Sequence, residues 1–241
     1  LKKIADFKNL IVFEDENYVV INKPPHIPTL DERNDLTATS ILRMAKKYSD
    51  DAQVAHRLDK ETSGVLAIAK NPEAYRHLAM QFEHREVIKT YHAVSNGIHE
   101  FDSVSVYLPI LPLKNGIVKI DRQEGKEAET IFNTIKVFQK HTLVACHPIT
   151  GRMHQIRIHL QCLKASIVHD DTYGGKDVFL SDIKKKNFNL KKETEEQPLI
   201  NRVALHAYSL NFRLLNEEEI NIIAPYPKDF EALVNQLEKN L

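Results

Sequence analysis

Nine residues of this chain, His56-Arg57-Leu58-Asp59-Lys60-Glu61-Thr62-Ser63-Gly64, crowd charged and hydroxylic side chains against the apolar run Gly64 to Ala69. A polar loop entering a buried strand is held by a rigid frame, and such loops commonly present functional groups. Asp59 has the widest chemistry available there. Its carboxylate, negative at neutral pH, can attack an electrophilic carbon or accept a proton. Taken alone, the segment reads more readily as an Asx turn or a cap, and Arg57 as half of a surface ion pair of little energetic weight.

A second cluster, His147-Pro148-Ile149-Thr150-Gly151-Arg152-Met153-His154-Gln155-Ile156-Arg157-Ile158-His159, gathers arginines and histidines around the expected start of a helix. A cation there opposes the helix dipole, so Arg152 costs a little unless an anion such as phosphate lies between it and the free amides; the plainer reading is a solvated basic turn. On a helix from Met153, His154, Arg157 and Ile158 share a face, so an inward Arg157 needs a carboxylate partner, and Asp59 is the candidate. In Lys89-Thr90-Tyr91, strand alternation puts Lys89 and Tyr91 on one face. The run Asp170-Asp171-Thr172-Tyr173-Gly174-Gly175 follows His169 and suggests metal ligation at first sight, but adjacent loop residues rarely hold one ion together and no second cluster has matching spacing, so no metal is expected.

The elements that must position these groups follow from periodicity and turn chemistry. Leu10 to Phe13 and Tyr18 to Asn22 read as a hairpin leading into the stiff loop Lys23-Pro24-Pro25-His26-Ile27-Pro28, followed by an amphipathic helix over Thr37 to Tyr48. Gly64 to Ala69 is a buried-type strand, and Asn71-Pro72 caps and opens a helix to about Arg85. Val87 to Ser95, Val104 to Tyr107, Ile117 to Ile120, Thr130 to Phe138 and Thr142 to His147 carry β-type residues at hairpin spacing. Thr150 is expected to cap a helix over Met153 to Leu163, with strands at Val203 to Leu214 and Glu219 to Ala224 and a last helix from Pro227. The fold class is therefore mixed α/β, of the α+β type, with a dominant antiparallel sheet. Lys184 to Gln197 reads as an exposed insertion within one domain.

Composition narrows the function classes. With 241 residues, 42% of them hydrophobic, the chain can bury a core or two small cores sharing a sheet. No apolar run is long enough to span a bilayer, and the N-terminus has no signal-peptide core, so a soluble cytoplasmic protein is expected. Cys146 and Cys162 support neither a disulfide framework nor a zinc site. Basic and acidic residues balance at 33 each, so any nucleic-acid contact must come from local patches, to which Lys184, Lys185, Lys186, Lys191 and Lys192 could add.

Together and in order, the motifs resemble the RluA-type family of RNA pseudouridine synthases. His56 to Lys70 is similar to that family's catalytic-aspartate motif; Lys89 to Tyr91, His147 to Leu160, Asp170 to Gly175 and Arg202 to Phe212 are similar to its later motifs, and Asn22 to Thr29 to its early proline loop. The chain departs from the pattern twice: His169-Asp170-Asp171 stands where Gly-Asp usually precedes Tyr-Gly, and the His-Pro after the last strand motif is absent at Arg213-Leu214.

The resemblance implies a pseudouridine synthase fold, a central, mostly antiparallel bifurcated sheet flanked by helices and loops with a catalytic cleft across it. Residues 1–241 would form one catalytic domain of two sub-domains, with no N-terminal accessory RNA-binding domain in this chain. It implies a cofactor-independent isomerase that turns uridine in structured ribosomal or transfer RNA into pseudouridine, with no protein partner and no membrane attachment implied; the lack of an apolar heptad makes a monomer the default. Asp59, Tyr91 and Arg157 would be catalytic; His56, Arg57, Lys89, Arg152, His154, Gln155 and Leu205 would contact RNA or the base. Of these, His56 would support the loop by hydrogen bonding, Arg57 would fill the space left by an extruded base and Leu205 would pack beside that base. The rival readings are a catalytically silent RNA-binding or RNA-folding protein on the same fold and a nucleoside hydrolase releasing uracil; a phosphotransferase is excluded because no phosphate-binding glycine loop occurs.

Overall fold

The short turn Asp15-Glu16-Asn17 shows how the first hairpin closes: the Asp15 carboxylate accepts the N–H groups of Asn17 and Tyr18 at 2.8 and 2.6 Å, the local bonding that favours aspartate in turns. The structure, a computed structural model, describes residues 6–31, 39–184 and 195–241. Its strands are β1 (Ile11–Glu14), β2 (Tyr18–Lys23), β3 (Ser63–Ala69), β4 (Ile88–Asn96), β5 (Val104–Tyr107), β6 (Ile110–Pro112), β7 (Val118–Ile120), β8 (Glu129–Val137), β9 (His141–Pro148), β10 (Leu205–Arg213) and β11 (Glu219–Ile223). Its helices are α1 (Ile41–Tyr48), α2 (Pro72–Glu83), α3 (Gln155–Cys162), α4 (Leu180–Ile183) and α5 (Lys228–Lys239). Strands and helices mix as expected, and the sheet is mostly antiparallel. Two compact units emerge, one from residues 1–90 and 207–225, the other from 91–206 and 226–241, with divisions inside β4, inside β10 and between β11 and α5.

In the first unit β2 pairs along its length with β3, from Tyr18 opposite Ala69 to Lys23 opposite Gly64. All seven residues of β3 are buried, which explains its unbroken apolar run where a half-exposed strand would alternate. Helix α2 begins as its cap dictates, Asn71 Oδ1 accepting the Ala74 N–H at 2.8 Å behind Pro72. Helix α1 starts at Ile41, capped by Ser40; the expected start at Thr37 lies outside the described residues.

Gly64 is where β3 needs a glycine. Its φ is +118°, and a Cβ there would stand 2.1 Å from the Ala207 carbonyl oxygen of β10. Both strain and overlap oppose any side chain, so Gly64→Ala is expected to lower stability by about 2–3 kcal/mol. Urea denaturation reads this as a reduced midpoint at constant slope, and an unchanged midpoint would contradict the close approach of the two strands.

The second unit orders β4-β9-β8-β5 side by side, with Tyr91 opposite Cys146 and Cys146 opposite Phe132. Val94, Phe132, Val144 and Cys146 make one core with Ile156 and Leu160 of α3 and Phe230, Leu233 and Leu237 of α5. Arg202 is fully buried, and Asp229 in the first turn of α5 holds it through both carboxylate oxygens. The small hairpin β6-β7 includes a strand the sequence did not announce: the prolines at 109 and 112 mask β6. Among the described residues, no helix is long and apolar enough to cross a membrane, and no group of three or more His, Cys, Asp or Glu stands together as a metal cage. Lys184 is described, whereas Lys185, Lys186, Lys191 and Lys192 lie outside the described residues.

Candidate active site

Asp59 lies in a segment with no regular ladder, so its backbone must find partners elsewhere. Its carbonyl accepts the Thr62 N–H at 3.1 Å, closing a turn that leads into β3. The peptide groups on either side of it bond to the proline loop at residues 23–29. The side chain itself is half-buried, and Arg57, two residues earlier, is exposed.

His56 faces away from this work. Its Nε2 accepts the Ala67 N–H of β3 at 3.0 Å, and its ring stacks on Phe82 of α2 with centroids 4.5 Å apart. Accepting at Nε2 requires the neutral ring. Burial, followed by the nearby Lys89 charge, holds its pKa down at about 3. The ring is thus bonded to β3 and stacked on α2. Lys89 is half-buried at the start of β4, where burial and then the Arg85 charge lower its pKa to about 8.

The second unit holds the other candidates. Tyr91 is half-buried on β4, packed at the edge of the core and not sealed within it. Arg157 points inward from α3, as its helical face predicts, and finds a carboxylate in its own unit: Asp170 takes Nε and Nη2 at 2.7 Å each. The Arg157 side chain is 10% exposed and that of Asp170 is fully buried. The guanidinium also lies over the Tyr173 ring, 5.0 Å from its centroid. This Asp170 partnership is what sequence reasoning missed. The signal is present, since an inward arginine demands a carboxylate, but Asp59 is the carboxylate that the sequence offers for it, with Asp170 read as a metal-ligand candidate or as part of a family motif.

The entry to α3 differs from expectation in two ways. Thr150 does not cap the helix; its hydroxyl bonds Glu129 N–H and Gln155 Oε1, and the chain enters through His154 in the left-handed region at φ 53° with no side-chain cap. Gln155, expected among the RNA contacts, is buried: its amide donates to the Glu129 carbonyl and Thr130 hydroxyl and accepts from Thr150 and the Arg152 N–H. It therefore braces the turn from within. His154 Nδ1 meets the Tyr173 hydroxyl at 2.9 Å, while Arg152 is exposed and donates from Nε to the Glu127 carbonyl. Leu205, the candidate neighbour of the base, is 3% exposed and belongs to the core of its unit.

The departure at His169 now has a geometry. That residue adopts φ 59°, a left-handed conformation in which glycine is unstrained, and its ring bonds Asp177. At the end of that motif the chain turns tightly: a Cβ on Gly175 would lie 1.8 Å from the Ile167 carbonyl oxygen.

A pH dependence follows from the buried histidines. His56 is held at about 3 and His92 at about 4, the latter by burial and then by the charges of His206 and His147. The ordinary histidine value is about 6.5, so below it the unfolded chain binds protons that the folded chain refuses. The contribution of these two histidines is expected to be full above pH 6.5 and to fall as the pH drops from there toward 4, each group contributing at most about 1.4 kcal/mol per pH unit. Urea midpoints between pH 7 and 4.5 check this; His56→Gln should flatten the slope, and a stability that rises on acidification would contradict it.

The sequence profile of the family described as RNA pseudouridylate synthase matches residues 17–162. The ribosomal large subunit pseudouridine synthase C of Buchnera aphidicola is 36% identical over 238 residues, 96% of this chain and 71% of that one. The protein of the same description from Escherichia coli is 34% identical over 244 residues, covering 98% and 72%. Among solved structures, human RNA pseudouridylate synthase domain containing 4 superposes with a TM-score of 0.71 at 24% identity, over 96% of this chain and 95% of that one, a likeness of fold. With most of its length matched to the family profile and to relatives above 30% identity, this chain belongs to the RNA pseudouridylate synthase family.

Proposed function

We propose that this pseudouridine synthase isomerises selected uridines of large-subunit ribosomal RNA, with Asp59 as its essential carboxylate and Tyr91 and Arg157 completing the reacting centre. The observation that carries the reading is the extent of the family match, since residues 17–162 enclose all three side chains. The RNA class is taken from the descriptions of the relatives.

The reaction breaks the bond from C1′ to N1, turns the uracil in place and joins C5 to C1′; C5 loses its hydrogen and N1 gains one, so atoms and electrons balance without a redox partner. Asp59 supplies the negative oxygen, as a nucleophile or as a base. Arg157, whose Nε and Nη2 edge is gripped by Asp170, supplies the positive charge that favours the ionised carboxylate. Tyr91 stacks on the uracil and exchanges the C5 proton. A stacked uridine must first be extruded at a cost of a few kcal/mol, and the exposed Arg57 takes its place in the helix. Arg152, His154 and Lys89 contact the RNA backbone; His56, Gln155 and Leu205 act from behind, as their bonds and burial favour.

Mapping pseudouridines in ribosomal and transfer RNA from cells with and without the gene tests the assignment. Loss of defined sites from large-subunit ribosomal RNA, restored by the wild-type chain, is expected. Sites lost only from transfer RNA would overturn the RNA class, and no lost site would favour a silent RNA-binding protein.

A further inference from the structure

We propose that Thr29, together with Lys23, is a positioning residue for Asp59: it fixes the peptide that carries the carboxylate and touches no reacting atom. The inference rests on the reading of Asp59 given above.

Thr29 is 3% exposed. Its one hydroxyl donates to the Leu58 carbonyl at 2.9 Å and accepts the Leu58 N–H at 3.1 Å, so the residue just before Asp59 has both backbone polar groups tied to a single side-chain atom. The residue just after Asp59 is tied as well. The Lys60 carbonyl accepts the His26 N–H at 2.8 Å and the Lys23 ammonium at 3.2 Å. That ammonium belongs to a fully buried residue and reaches two more carbonyls, those of Pro24 at 3.0 Å and Ile27 at 2.9 Å.

The physical logic is that a loop without its own ladder must borrow rigidity. Here the lender is a stretch in which Pro24, Pro25 and Pro28 each fix a backbone φ, and in which an ammonium with three donors gathers three carbonyls. A hydroxyl is the smallest group that donates and accepts at once, which is the demand made by a neighbouring N–H and C=O of one residue. Serine can meet it; valine, with the shape of threonine, cannot. Losing the hydroxyl lets the Leu58 peptide turn toward other partners and swings the next residue, Asp59, out of register. Reaction rates tolerate such displacement badly, with a misplacement of ~1 Å costing ~10²-fold.

Release of tritium from RNA labelled at C5 of uridine, followed at saturating and limiting RNA well below the melting temperature of each variant, tests this. Thr29→Val is expected to lower kcat by roughly 10²-fold while KM stays near wild type, and Thr29→Ser to retain wild-type kcat. Should Thr29→Val not fold, Thr29→Ala removes the same hydroxyl without adding a methyl group and carries the same expectation. An earlier melting with unchanged kcat would make Thr29 merely structural, a raised KM at constant kcat would make it an RNA contact, and a Thr29→Ser as slow as Thr29→Val would remove the hydroxyl from the account; each overturns the proposal. Asp59→Asn in the same assay separates the two layers. An inactive Asp59→Asn beside a fully active Thr29→Val sinks only the positioning role, whereas an active Asp59→Asn sinks the reading of Asp59 and the positioning role with it.

Discussion

Asp59→Asn is expected to lose pseudouridine formation by roughly 10⁴-fold or more while the chain stays folded. The substitution keeps the shape of a half-buried side chain and removes the negative oxygen on which either route depends, attack or proton abstraction. Removing the one group that performs a covalent or proton-transfer step costs this much in other enzymes, because the remaining contacts only bind and orient. The turn closed by the Asp59 carbonyl and the bonds to its neighbouring peptides use backbone atoms and survive the change. Melting temperature and RNA affinity should therefore stay near wild type. A variant that retained even a tenth of wild-type turnover would remove Asp59 from the chemistry.

Asp170→Asn is expected to destabilise the chain by about 3–5 kcal/mol, the cost of removing one partner of a buried ion pair. Burial decides the size of this effect. Both oxygens of a fully buried carboxylate engage a guanidinium whose side chain is 10% exposed, so neither water nor salt screens the loss. The surface pair of Lys136 and Glu238 is the contrast, each partner 41% exposed, and breaking it should cost no more than about 1 kcal/mol. Urea denaturation of the two variants side by side measures the difference. Equal losses would mean that the Arg157 and Asp170 pair is wetter than its geometry. Turnover of Asp170→Asn should fall as well, since Asp170 grips the guanidinium proposed as catalytic.

Much of this was legible from residue types. The hairpin β1-β2 announced itself through two β-branched runs around an acidic turn, and α2 through Asn71-Pro72, because these signals act over a few residues and the structure uses them locally. Strand alternation sets Lys89 and Tyr91 on one face of β4, and both are half-buried there.

The misses share a different cause: each depends on a contact distant in sequence. Thr150 has the type of a helix cap, but a bond to the Glu129 N–H on β8 claims its hydroxyl. Gln155 looks like a surface amide beside two basic residues, yet it is buried because β8 offers the Glu129 carbonyl and the Thr130 hydroxyl as partners. Arg157 was correctly turned inward by helical periodicity, while the identity of its carboxylate in that unit required knowing that the segment at residues 167–175 folds beside α3. His154 and His169 take left-handed conformations that nothing in their type requires. Family resemblance supplied the order and roles of the motifs; the hydrogen bonds that brace them came only from the fold.

The central claim is isomerisation within the RNA chain. It is tested most directly by digesting C5-tritiated and unlabelled large-subunit ribosomal RNA to nucleosides after incubation with the purified wild-type chain, and separating the products by chromatography. One equivalent of pseudouridine for each tritium released, with no free uracil, is the expected result. Free uracil without pseudouridine would contradict it and make the chain a hydrolase of the glycosidic bond.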